Sequence, residues 1–251
     1  MKAAIRQLKI RQMLESEEFV DLGTLCRQLE ASESSVRRDL NWLESEGVLK
    51  RVYGGAMAVQ SSSHLLDFAW QSERMGEEKK RIASVTAGLV EDGQTVLLDG
   101  GSTVAAVAHE LTGRSLHLMT NSLPIADIFA DARQIELTLT GGYLYPRLRA
   151  MVGPLCEQML GGVAADMLIM GIGGITEAGF SNNNTLVVGS ERKMIEVSRK
   201  VVVVADHTKF GHAAMISLAP LDVVDVVISD SNLEPRYRKM LEDHGVEVRL
   251  A

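Results

Sequence analysis

The order of apolar and polar positions changes character along the 251 residues. In the first part apolar residues recur at helical spacing. Ile5, Leu8, Met13 and Leu14 mark one helix, with Arg6, Lys9 and Arg11 expected on its outward side. Leu22, Leu25 and Leu29 form the inner face of a second, and Glu30-Ala31-Ser32 connects it to a third. There Val36, Leu40 and Leu43 recur at i, i+4 and i+7, which makes one buried stripe. Ser32 or Ser34 is the expected N-cap, because a short hydroxyl satisfies backbone N–H groups that have no partner within the helix. Gly47 ends the helix, Val48 to Val52 reads as a strand, and Gly54-Gly55 supplies a turn. Three helices and a small β-wing predict a winged helix-turn-helix over residues 1–56.

Residues 57–78 hold Ser61-Ser62-Ser63 and little periodicity; they read as a linker with a short helix around Leu65 to Gln71. From residue 79 to 251 the chain alternates. Helices at 79–90, 103–112, 123–131, 154–160 and 189–198 lead to strands at 95–98, 116–120, 135–139, 166–170 and 201–205. A strand at 223–228, a helix at 234–243 and a strand at 246–250 follow. Short, continuously apolar strands between helical segments predict an α/β domain, Rossmann-like, with a parallel sheet covered on both faces. In such sheets ligands bind beyond the carboxyl ends of the strands.

Charge divides along the same line. Residues 1–56 carry nine Lys+Arg and nine Asp+Glu, and the remainder carry 17 against 24, so the net −7 belongs to the second part. Affinity for DNA must then come from a local basic face rather than from bulk charge. Arg37 and Arg38 lie off the apolar stripe near the positive end of the third helix, where a phosphate or a base edge fits. With Ser34 and Ser35 before them and Lys50 and Arg51 on the wing, they are the candidate contacts to double-stranded operator DNA. The two cysteines, Cys26 and Cys156, form no disulfide or metal framework and read as small buried residues. Val163 to Ile175, the longest apolar stretch, is broken by Asp166 and glycines and is too short to span a bilayer, and no signal peptide opens the chain. A cytoplasmic protein with no membrane partner is expected.

Polar and glycine residues gather at five strand ends: Asp99 to Thr103, Thr120 to Ser122, Thr140 to Gly142, Gly171 to Gly174, and Asp206 to Gly211. Gly101, Ser102 and Thr103 can turn backbone N–H groups toward a phosphate at a helix start. Asn121 and Ser122 would form a second wall beside Thr120. Lys209 is a point charge suited to a phosphate, and Asp99 would accept from sugar hydroxyls or orient the loop. Gly141, Gly142, Gly171 and Gly173 serve equally well as ordinary tight turns.

Ser-Ser-Val-Arg-Arg-Asp-Leu at 34–40, Leu-Glu-Ser-Glu-Gly at 43–47 and Tyr-Gly-Gly-Ala at 53–56 resemble the amino-terminal signature of DeoR-type bacterial transcription regulators. Ser35 and Val36 stand where that family usually has Thr and Ile, and Tyr53 where His is common. Glu78-Lys79 with Ile82-Ala83, Asp99 to Thr103, Thr120 to Ser122, Gly141-Gly142 and Asp206 to Gly211 resemble its carboxy-terminal sensor. The resemblance covers nearly the whole chain. It implies a sensor similar to ribose-5-phosphate isomerase, a phosphorylated sugar or related metabolite as effector, and Lys79 as a further cation of the site. One departure stands out. Many family members carry an acidic residue and then a Lys or Arg on the helix at 189–198; here Val187 takes the acidic position and Glu191 the basic one, after an Asn182-Asn183-Asn184 loop.

Other residues weigh less. His207 beside Asp206 reads as a pocket or loop histidine, Trp42 as core packing, and Asp166 as a strand opener that orients the pocket or merely turns the chain. Glu191 suggests a general base of an isomerase or coenzyme A transferase, but Arg192 and Lys193 beside it make a solvated helix face the better reading. The expectation is therefore a regulator and no enzyme, without metal or cofactor. It would be a homo-oligomeric repressor, dimer or tetramer, of a carbohydrate-catabolic operon. A sugar-phosphate isomerase or coenzyme A transferase with an added DNA-binding domain is the rival.

Overall fold

The computed structural model describes residues 3–16, 19–46, 48–52, 54–58, 68 and 75–251. The expected roles of Gly47 and Tyr53, and the helix expected around Leu65 to Gln71 apart from Phe68, lie outside these residues. The chain divides into two compact units, residues 1–64 and 65–251.

In the first unit α1 (Ala3–Ser16), β1 (Phe19–Asp21), α2 (Leu22–Leu29), α3 (Glu33–Ser45), β2 (Leu49–Val52) and β3 (Gly55–Ala58) surround one core. The strands form an antiparallel sheet in the order β1-β3-β2. Asp21 caps α2 by accepting from the Thr24 N–H at 2.9 Å, and Ser32 caps α3 by accepting from the Ser35 N–H at 3.4 Å. The stripe Val36, Leu40 and Leu43 is buried against Leu25, Leu29, Ile10 and Leu14. Helix α1 departs from expectation. Ile10 and Leu14 are its buried residues, Ile5 and Leu8 are exposed, and Arg6 points inward. Its Nε donates to Asp39 on α3 at 2.7 Å, and the Gln7 amide donates to the same carboxylate at 3.2 Å. A buried acid on α3 thus turns Arg6 away from solvent.

In the second unit α4 (Gly76–Ala87) precedes a seven-stranded sheet made of β4 (Thr95–Leu98), β5 (Leu116–Thr120), β6 (Ile135–Leu139), β9 (Met167–Met170), β12 (Val201–Val204), β14 (Val226–Ser229) and β15 (Glu247–Leu250). All neighbours run parallel, in the order β15-β14-β12-β9-β4-β5-β6. Alternate residues feed opposite faces: Leu97, Leu168, Met170, Val201 and Val203 join one core, and Val96, Leu98, Ile169, Val202 and Val204 the other. Helices α5 (Ser102–Glu110), α6 (Leu123–Phe129), α7 (Pro154–Leu160), α8 (Thr185–Glu196) and α9 (Pro235–Asp243) connect or follow these strands. No described helix is long and apolar enough to cross a membrane.

Several details depart from the sequence reading, and both β3, to Ala58, and α4, from Gly76 to Ala87 rather than 79–90, enter the stretch read as a linker. A hairpin of β7 (Tyr143–Tyr145) and β8 (Ala150–Val152) stands between β6 and α7. An antiparallel sheet of β10 (Gly174–Thr176), β11 (Gly179–Asn182) and β13 (Ile216–Ala219) joins the segments leaving β9 and β12. The strand expected at 223–228 begins at Val226, after a short 3-10 turn over Leu221–Val223.

Candidate functional site

On the first unit, burial of the α3 stripe leaves the opposite side of the helix outward. Ser34, Arg37 and Arg38 are exposed and Ser35 half-buried, all in the amino-terminal half of α3. The hydroxyls of Ser34 and Ser35 lie 3.1 and 2.9 Å from Ser32 Oγ. Arg37 is steered by Glu33, whose carboxylate accepts from its Nε at 2.8 Å one helical turn away. On the wing Lys50 is exposed, while Arg51 is half-buried and tied back to α3. Its N–H donates to Glu44 at 2.8 Å and its guanidinium to the Asn41 side chain. The wing is thus fixed to the carboxyl half of α3, and the cations at its amino half face solvent. Trp42 is 44% exposed, with the Arg11 guanidinium 6.0 Å from its ring, rather than packed in the core. Cys26 is half-buried; only Cys156 fits the expected buried thiol.

On the second unit a cavity of about 250 Å³ opens at the carboxyl ends of β4, β9 and β12. The chain adds β5 and β6 on one side of β4 and β9, β12, β14 and β15 on the other, so the winding reverses between β4 and β9. Two strand-end loops diverge there and leave a crevice. Lys79, Gly101, Ser102, Thr103, Gly171, Gly173 and Lys209 all line this cavity. Gly101 has φ +140° with nothing within 4 Å of the place where a Cβ would stand, so the first turn of α5 meets the cavity as bare backbone. Gly173 would bring a Cβ to 2.7 Å from the Asn182 side chain.

The remaining expected site residues do not line the cavity. Thr120, Asn121 and Ser122 end β5, one strand farther from the reversal, and are fully buried. The Thr120 hydroxyl donates to the Leu98 carbonyl at 2.7 Å, Asn121 O accepts from the Met151 N–H at 2.7 Å, and Ser122 caps α6. Their hydrogen bonds hold the hairpin to the sheet. Gly141 and Gly142 end β6, two strands away. Gly142 has φ +127°, and a Cβ on it would meet the Val152 carbonyl at 2.7 Å, so close packing requires this glycine. Asp166 lies at the amino end of β9, where it accepts from the Thr95 N–H at 3.0 Å, and has no place in the pocket. His207 pairs with Asp230 rather than Asp206, its Nδ1 lying 2.9 Å from Asp230 Oδ1. Asp206 instead caps the 3-10 turn His207–Lys209 through Thr208.

Glu191 overturns its sequence reading. It is 1% exposed and lines the cavity, whereas its neighbours Arg192 and Lys193 turn outward to Ser217 and Glu196. Helix α8 begins at Thr185, not 189, because the Asn184 side chain caps it by accepting from the Leu186 and Val187 N–H groups. That extra turn brings Val187 to the cavity as well, so both departures from the family pattern fall in its wall. Asn182 on β11 donates to Glu191 Oε1 at 2.6 Å, and Glu191 Oε2 is buried without a hydrogen-bond partner. Burial, and then the nearby Asp99 carboxyl, push Glu191 well above the usual carboxylate range, against the Asn182 hydrogen bond. Burial likewise lifts Asp99 to about 7, against hydrogen bonds from the Gly100 N–H and Asn121. The sequence hint to this wall was the unusual Asn182-Asn183-Asn184 run: Asn182 and Asn183 line the cavity and Asn184 sets the helix start.

Comparison with known proteins covers both units. Residues 6–62 match the DeoR-like helix-turn-helix domain and residues 74–231 the DeoR C terminal sensor domain. The HTH-type transcriptional regulator GolR of Listeria innocua is 33% identical over 98% of each chain. The glycerol-3-phosphate regulon repressor of Escherichia coli is 32% identical over the full length of both. Among solved structures, ribose 5-phosphate isomerase A from Methanocaldococcus jannaschii aligns over 54% of each chain at 17% identity, with a TM-score of 0.38. That likeness is too slight to define the fold, which rests on the strand order given above.

Proposed function

Because the chain belongs to the DeoR family of transcriptional regulators, we propose that it is a repressor of a carbohydrate-catabolic operon, released from its operator by a phosphorylated sugar or related metabolite. It is a DNA-binding regulator and not an enzyme. The observation that carries the DNA side is the outward face of α3, where Ser34, Arg37 and Arg38 stand free of the buried stripe at a capped helix start. These residues, with Ser35, enter the major groove, and Lys50 and Arg51 approach the backbone from the wing. The effector occupies the cavity, its phosphate on the first turn of α5 with Ser102, Thr103, Lys79 and Lys209 around it. It changes operator affinity only by as much as it prefers one state of the protein over the other. The Escherichia coli relative, named for a glycerol-3-phosphate regulon, supports a phosphorylated effector. Action as a homo-oligomer in the cytoplasm completes the reading.

The test is fluorescence anisotropy of the full chain on the DNA upstream of its own gene, across a salt series. Arg38→Ala is expected to weaken binding by about tenfold and to lower the salt slope by about 0.9 if Arg38 meets a phosphate. Lys209→Ala is expected to keep DNA affinity and lose the response to phosphorylated sugars. Unchanged binding by Arg38→Ala at every salt concentration removes the α3 assignment.

A further inference from the structure

Glu191 is the feature that a pocket for a plain phosphorylated sugar does not explain. Its Oε1 is already occupied by Asn182, whereas Oε2 is buried and has no donor, on a residue that lines the cavity. A buried acceptor without a donor is costly, and more so when charged, so a group that binds here and donates to Oε2 recovers that cost. Asp99 stands close enough to repel a charge on Glu191, and its own partners, the Gly100 N–H and Asn121, are both donors. Burial raises both groups, so near neutral pH the site favours their protonated forms until a positive charge reaches Glu191. The same cavity also holds the anion cradle at α5 and Lys209. One wall asks for negative charge and another for a positive donor.

We propose that the cavity takes a phosphomonoester that also carries a primary ammonium group, an aminated sugar or polyol phosphate, with the ammonium on Glu191 Oε2. The proposal rests on the sensor reading above and narrows its ligand. A ligand hydroxyl would supply a donor alone; an ammonium supplies a donor and the positive charge against which the buried Glu191 carboxyl can release its proton.

Titration calorimetry of the full chain at pH 6.5 decides it, with glucosamine 6-phosphate and galactosamine 6-phosphate set against glucose 6-phosphate and galactose 6-phosphate. The expected result is that at least one aminated compound binds about tenfold or more tighter than its hydroxyl parent, a difference of about 1.4 kcal/mol. In Glu191→Gln, which keeps the shape, the ratio falls to within about twofold, and in Glu191→Lys it inverts. If the hydroxyl parents bind the wild type as tightly as the aminated compounds, the ammonium assignment is overturned and the phosphate reading stands. A preference that persists unchanged in Glu191→Gln removes Glu191 from the role. If no phosphorylated compound binds the folded protein, the sensor reading and the inference fall together.

Discussion

The Arg-Arg-Asp run at the heart of α3 divides its labour: two cations face solvent and the acid faces the core. Replacing Asp39 by Ala tests that division. Asp39 keeps 4% of its side-chain surface and Arg6 15%, with 2.7 Å between Nε and Oδ2 and a second donor from Gln7 at 3.2 Å. Removing the carboxylate leaves a guanidinium and an amide in a site that offers them little water. Breaking a buried pair by deleting one partner costs about 3–5 kcal/mol. Arg6 lies in the first turns of α1 and its long stem lets the head group turn outward, so the lower end, about 3 kcal/mol, is the expected value. A unit of this size holds only about 3–9 kcal/mol in total, so the loss is a third of its stability or all of it. Urea unfolding followed by Trp42 fluorescence, in a Trp70→Phe background, reads the first unit directly. The pair should behave as a pair. Arg6→Met with Asp39→Leu, which removes both members of the pair, is expected to recover most of the loss. If Asp39→Ala unfolds within about 0.5 kcal/mol of its parent, or the double variant is no more stable than the single one, the buried contact does not hold α1 to α3.

Two further outcomes follow from the second unit. Asp99 titrates near 3.8 when unfolded and at about 7 when folded, so between those values the native chain holds a proton that the unfolded chain has released. Raising pH through this window therefore favours unfolding; the contribution is up to about 4 kcal/mol, and Asp99→Asn is expected to flatten the pH dependence of the melting temperature between pH 4 and 7. Gly142→Ala forces a side chain into φ +127° and against the Val152 carbonyl, and is expected to cost at least about 2 kcal/mol in thermal unfolding while leaving ligand affinity in the surviving folded protein unchanged.

The parts legible in the sequence are those set by local rules. The stripe of α3 was read from three residues at helical spacing, and all three are buried. The parallel strands showed as apolar runs, because both faces of such a sheet are covered. Helix α1 was misread because apolar residues lie all around it; Ile5, Leu8, Ile10, Met13 and Leu14 permit more than one inward face, and the choice is made by Asp39 on another helix. Strands β7, β8, β10, β11 and β13 are three or four residues long, too short for an alternation to declare itself. Thr120 to Ser122 were placed in the pocket because they end a strand; strand order, which local pattern does not carry, puts the crevice between β4 and β9. Glu191 was missed for the same reason: its flanking Arg192 and Lys193 announce a surface, and its burial comes from tertiary packing, where Asn182 of β11 donates to it.

The small β10-β11-β13 sheet gives the cavity a mechanical property. The Ser181 hydroxyl donates to the Gly174 carbonyl at 3.1 Å and accepts from the Ala214 N–H at 2.8 Å, while the Gly211 N–H donates to the Ile175 carbonyl at 2.9 Å. The loop that carries Gly171 and Gly173 and the loop that carries Lys209 are therefore woven together rather than hung separately. A displacement of one loop must therefore stretch or break hydrogen bonds to the other, so the two sides of the cavity share one set of restraints.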